Sequence, residues 1–90
     1  MILLVTYDLK SPSTEYLPLY EYLKTQDNWM HYIASTWLIK TSKTPNEIVD
    51  GIKPHLREGD HVMVVKFDRP YQGWMPKRAW EWIDAHKDYK

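Results

Sequence analysis

The chain opens on an apolar run, Ile2-Leu3-Leu4-Val5-Thr6, that stops abruptly at Tyr7-Asp8. No alternation of apolar and polar residues marks a solvated face, so a strand built from this run must be covered on both sides. Such a strand belongs in the middle of a sheet. Its carboxyl end then delivers Asp8 to the rim where α/β proteins often place their chemistry. The run is short, lacks a basic flank and leads straight into an acid, so it reads as neither a secretory signal nor a membrane span. The expectation is a cytoplasmic protein with no membrane partner.

The remaining apolar periods predict the other elements. Strand one covers 2–9, and Ser11-Pro12-Ser13-Thr14 is turn and helix-start material. A helix over 15–26 carries Tyr16, Leu19, Tyr20 and Leu23 on one stripe. Pro18 is tolerated only in a first turn, which sets the regular start near Tyr16. The stretch from Trp29 to Thr41 is too long for one strand and reads as two short antiparallel strands, or one bent strand, turning near Ser35. Thr44-Pro45-Asn46-Glu47 has the form of a capping box, opening a helix over 45–57 that Pro54 should kink. A strand over 61–68 follows, then a loop from Arg69 to Trp74. Pro76 opens a final short helix to His86, with a frayed tail from Lys87.

With 90 residues this is one domain, 1–90, with a limited core; folding should bury roughly 60–65% of the extended-chain surface. The order β-α-β-β-α-β with right-handed crossovers predicts an α+β, ferredoxin-like sandwich with both main helices on one face and an added C-terminal helix. That leaves the opposite sheet face open unless the C-terminal helix or a second subunit covers it, which predicts self-association as a homodimer or higher oligomer. Twelve basic residues balance twelve acidic ones, so no global field draws the chain to a long polyanion. The absence of cysteine excludes disulfides and thiolate metal sites. His31, His55, His61 and His86 show no zinc-binding spacing.

Five Trp and seven Tyr exceed what so small a core needs, which points to binding surfaces. The segment from Arg69 through Tyr71 and Trp74 to Lys77 and Arg78 interleaves rings with cations at a helix start. Rings offer stacking for a base and cations hold phosphate. Tyr7, Ser35, Thr36 and Trp37 can complete such a pocket if the bend faces that loop. The bland alternatives are a bend held by local hydrogen bonds and tryptophans that pack on the sheet. On a helical wheel Ala79, Trp82, Ile83 and His86 share a face that Trp80 does not, so at least one of the two tryptophans is expected to be left for a partner or ligand.

Tyr7-Asp8-Leu9 after a strand, followed by a helix and the aromatic-Ser bend Ile33-Ala34-Ser35-Thr36-Trp37, resembles the small CRISPR-associated adaptation proteins and their VapD-type relatives. The wider pattern, with GDHVMVVKF and the closing GWMPKRAWEWI, is similar to bacterial and phage proteins of the SinR family. The resemblance implies a ferredoxin-like homodimer in which Asp8 binds a divalent metal across the dimer, Mg or Mn, and it brings with it a proposed nuclease activity. Two departures weigh on that. Lys10 and Lys24 are the only basic residues between 9 and 28, where that family carries arginines, and an aromatic helix stands where it has an edge strand. A lone carboxylate is also a poor site for a hard cation.

Three functions are therefore expected, in this order. The first is a small oligomeric binding module for a nucleotide or short nucleic acid, tied by the resemblance to phage–host defence or counter-defence, that turns nothing over and needs no cofactor. The second is a metal-dependent endonuclease using Asp8. The third is a pure protein-interaction subunit.

Overall fold

The structure, a computed structural model, describes residues 1–88. Four strands form one sheet: β1 (Ile2–Asp8), β2 (Asn28–Ile33), β3 (Thr36–Lys40) and β4 (His61–Lys66). Their spatial order is β2-β3-β1-β4 and every pairing is antiparallel. The apolar first strand is central, with Val5 opposite Trp37 on one side and Val64 on the other. Three helices complete the α+β fold: α1 (Leu17–Lys24), α2 (Pro45–Ile52) and α3 (Lys77–His86).

Strand pleating sorts the core into two clusters. Leu3, Val5, Trp37 and Ile39 face α1 and α2 and pack with Tyr16, Leu19, Leu23, Ile48 and Ile52. Ile2, Met30 and Leu38 face the other way and pack with Ala79 and Ile83 of α3. The C-terminal helix α3, one of the two covers expected for this face, lies on it. Met63, at 61% exposure, and Val65 remain uncovered beyond the reach of that helix.

Several predicted boundaries shift for local reasons. Residues 13–16 form a 3₁₀ turn before α1, which places Pro18 in the first α-helical turn, where its missing N–H costs nothing. The capping box is present: Thr44 Oγ1 accepts from the Glu47 amide at 3.2 Å, and Glu47 accepts from the Thr44 amide at 3.0 Å. Pro54 ends α2 rather than kinking it, and Lys53–His55 continue as a 3₁₀ turn. The bend near Ser35 is a two-residue hairpin turn, Ala34-Ser35, between β2 and β3. Among the described residues no non-glycine residue has positive φ, which the usual tight hairpin turns need, and the pairing is irregular between Met30 and Ile33.

The tail expected to fray from Lys87 is fastened as far as Asp88, and the rest of it lies outside the described residues. Lys40 Nζ donates to the His86 carbonyl at 2.7 Å and to Asp88 at 2.6 Å. The Met1 ammonium pairs with Asp88 at 3.0 Å. A cation at the last carbonyls of α3 also meets the negative end of its dipole. The hydrogen bonds from Lys40 and the Met1 ammonium draw the Asp88 carboxyl down to about 2 from its ordinary 3.8. A carboxyl held down in the folded chain stabilises it above the unfolded value, and that contribution disappears as pH falls from about 4 towards 2. Asp88→Asn should therefore flatten the loss of stability across that window in acid titrations followed by circular dichroism. An unchanged profile would contradict the anchor.

Gly51 marks the closest approach of α2 to α1, since a Cβ there would collide with the ring and hydroxyl of Tyr22. Gly51→Ala should lower stability by about 1–2 kcal/mol, as overpacking outweighs the gain in helix propensity. In a Tyr22→Ala background the same change should stabilise by about 0.5–1 kcal/mol. Urea unfolding of the four proteins reads the difference.

Candidate functional site

Three recesses hold most of the residues singled out from sequence, though not Arg69, Trp74 or Lys77. The first lies at the carboxyl end of β1 and is lined by Tyr7, Asp8, Ser11, Ser13, Tyr20 and Ser35. The β1 strand reaches it by hydrogen-bonding the hairpin turn, Tyr7 N–H to the Ser35 carbonyl at 3.1 Å. The Tyr7 hydroxyl accepts from Trp37 Nε1 at 2.9 Å and donates to the Ala34 carbonyl at 3.4 Å. Burial raises the Tyr7 phenol above its ordinary value, only partly offset by the Trp37 bond, so it stays a neutral hydroxyl. Asp8 is exposed and pairs with Lys10 at 3.4 Å, and its cross-strand neighbour is His61. Among the described residues no group of three or more His, Asp or Glu side chains is placed to hold a metal ion.

The second recess is a groove on the α3 face of the sheet. Thr36 and Tyr71 both line it, with Leu4, Leu38, Phe67 and Trp80. Thr36 Oγ1 lies 3.1 Å from Thr6 Oγ1, and Tyr71 packs on Phe67 at 4.4 Å between ring centroids. Trp37 also borders this groove, but its side chain is 2% exposed and belongs to the α1–α2 core, whereas Ser35 lines the first recess.

The third recess sits at the sheet edge, where β2 meets α3, and holds Arg78 with Trp29, Met30, His31, Tyr32 and Trp82. Trp82 Nε1 donates to Asn28 Oδ1 at 3.0 Å, fixing the indole against β2, and its ring lies 4.5 Å from His86. On the other side of the strand His31 stacks on Trp37 at 4.0 Å, and Lys24 caps the Trp29 ring at 5.3 Å. Among the described residues Arg78 and Lys77 form no hydrogen bond or salt bridge. The start of α3 has Pro76 as its cap, no side-chain cap bond and no acidic residue in its first turn.

The residues expected to form one pocket are thus distributed. Thr36 and Tyr71 meet in the groove, Arg78 stands in the edge recess, and Tyr7, Asp8 and Ser35 gather at the far end of β1. Trp74 is fully exposed and lines none of the three. Arg69 lies in the exposed loop, its amide donating to Asp68 at 2.8 Å. The groove and the edge recess share Met30 and Tyr32.

Trp80 and Trp82 are both half-buried, and each lines a recess, Trp80 the groove and Trp82 the edge recess. The helical wheel was right about their directions, but the 67–75 segment folds under Trp80 and supplies a second wall: Tyr71 lies 6.4 Å away and nearly parallel. Sequence reasoning missed Trp29, His31, Tyr32 and Trp82 as neighbours of Arg78. The available signal was the run of rings at Trp29, His31 and Tyr32, since period-two pleating sends such neighbours to both faces of a strand. No family model, curated protein or solved structure matches the chain.

Proposed function

We propose that the chain is a small binding module for a nucleotide or a short single-stranded nucleic acid, held at the edge recess between β2 and α3. The observation that carries this reading is Arg78, a guanidinium with no hydrogen bond or ion pair among the described residues, in a recess it shares with Met30, Tyr32 and Trp82 on the α3 side of β2. Tyr32 and Trp82 give a base its stacking surface, and the guanidinium offers a fork for phosphate oxygens. Lys77 and Arg78 sit at the positive end of α3 with no acidic residue in its first turn, an arrangement that weakens a helix until an anion arrives. The same reading takes the fold as ferredoxin-like: the strand order, read from the other edge, is β4-β1-β3-β2 around two split βαβ units, and both main helices pack on one face.

Two cations suit a ligand with one or two phosphates better than a long polymer. For a short single strand the logarithm of affinity should fall against that of salt with a slope of about −1.4, given two phosphate contacts. Five tryptophans make fluorescence the natural readout. Titration with adenosine monophosphate and with a 5′-phosphorylated dithymidylate should change the emission. Trp82→Ala should weaken binding about 5- to 150-fold through lost stacking. Arg78→Ala should weaken it about tenfold or more and reduce the salt slope by about 0.7. No response to either ligand at about 5 mM from the folded protein would overturn the proposal.

A further inference from the structure

On the second face of the sheet, α3 and the 67–76 segment lean over β1 and β3 without closing the space beneath them. A groove of about 160 Å³ remains. None of the residues lining it carries a charge. Its volume is close to that at which an apolar cavity accepts a molecule of about benzene's size.

We propose that this groove is a binding site for a small, neutral, planar aromatic molecule, and that Gly73 keeps it open. Flat walls favour a flat occupant: Tyr71 and Trp80 lie within 10° of parallel. Met30 and Met75 add thioethers, which pack well against ring edges. A charged ligand would lose its hydration here with no counter-ion in the lining. The polar fittings select an acceptor on the ring. Gln72 Oε1 already accepts from the Gly73 amide at 2.9 Å, which leaves the Gln72 NH₂ to donate.

Gly73 lines the groove and its position is telling. A Cβ there would rest at 3.7 Å from Met75 and 3.8 Å from the Trp80 ring, which is ordinary contact without collision. Because Gly73 itself lines the groove beside Trp80, a larger side chain there should take up part of the open volume. The inference is independent of the nucleotide reading, because it concerns a neutral ligand and does not use Arg78.

The test is amide NMR of the ¹⁵N-labelled protein titrated with quinoline, which is neutral near pH 7.5 and carries a ring acceptor. Quinoline-6-carboxylate and cyclohexanol serve as the charged and the non-planar comparisons. Quinoline should shift Thr36, Leu38, Gly73 and Trp80 with a Kd below about 1 mM. The two comparisons should bind at least ten times more weakly. Gly73→Leu should reduce quinoline affinity at least tenfold while the urea midpoint holds. Should that variant fail to fold, Gly73→Ala, whose single methyl fits, should still weaken binding a few-fold. Equal binding of cyclohexanol, insensitivity to both Gly73 variants, or no shifts at about 5 mM quinoline would each overturn the proposal. Quinoline has no phosphate, so the result stands whether or not nucleotides bind.

Discussion

Trp37→Ala is expected to cost about 3–5 kcal/mol, the range for deleting a large buried ring. The side chain is 2% exposed at the centre of the α1–α2 core. It stacks on His31 at 4.0 Å and on Tyr20 at 6.2 Å, and packs on Trp29 at 5.3 Å. Its Nε1 donates to Tyr7, so the substitution also loosens the hairpin end of β1. Small domains hold only about 5–15 kcal/mol in total, so the variant should lose most of its cooperative transition in urea. Trp37→Phe keeps a ring and most of the volume, and should cost about 1–3 kcal/mol. A loss below about 1 kcal/mol for the alanine variant would mean that the ring is not packed as described.

Tyr16→Phe is the second large effect, at about 1–3 kcal/mol for removing one buried hydroxyl from its partners. Tyr16 is fully buried, and its hydroxyl donates to Asp60 at 2.8 Å and accepts from the Ser11 amide at 3.2 Å. Asp60 also takes the backbone N–H groups of Lys10 and Arg57, each at 2.8 Å. Partial burial pushes the Asp60 carboxyl up, but the bonds from Lys10, Arg57 and Tyr16 outweigh it and hold the carboxyl below its ordinary value. Gly59, with φ +90°, makes the turn that brings Asp60 round to this position. One carboxylate thereby ties the segment after β1, the start of α1 and the entry to β4. Chemical unfolding should place Tyr16→Phe below wild type and Asp60→Ala lower still, while Asp8→Ala, at an exposed ion pair, should leave the midpoint within error.

What was legible in the sequence was local or strongly periodic. The central strand followed from five apolar residues without a polar face, and the Thr44–Glu47 cap from residues three apart. The turn at Ser35 followed from a run too long for one strand. The sites were not legible in that way. Trp82 and Asn28 meet across 54 positions and Tyr16 and Asp60 across 44, so neither contact leaves a trace in spacing. The segment between β4 and α3 has no apolar period at all. Grouping Tyr71, Trp74 and Arg78 by proximity in sequence put in one pocket three side chains that the structure sends to a groove, to solvent and to an edge recess. Asp8 stood out because it ends an apolar strand, whereas Asp60, whose carboxylate takes three donors from Lys10, Tyr16 and Arg57, sits in an ordinary turn.

The most direct test of the edge recess as the ligand site is a map of amide and indole NMR shifts as adenosine monophosphate is added to the full chain. The account predicts the largest changes at Met30, Tyr32, Arg78 and the Trp82 indole N–H, all of them lost in Arg78→Ala. Changes concentrated instead at Asp8, Ser11, Ser13 and Ser35, at the far end of β1, would contradict it.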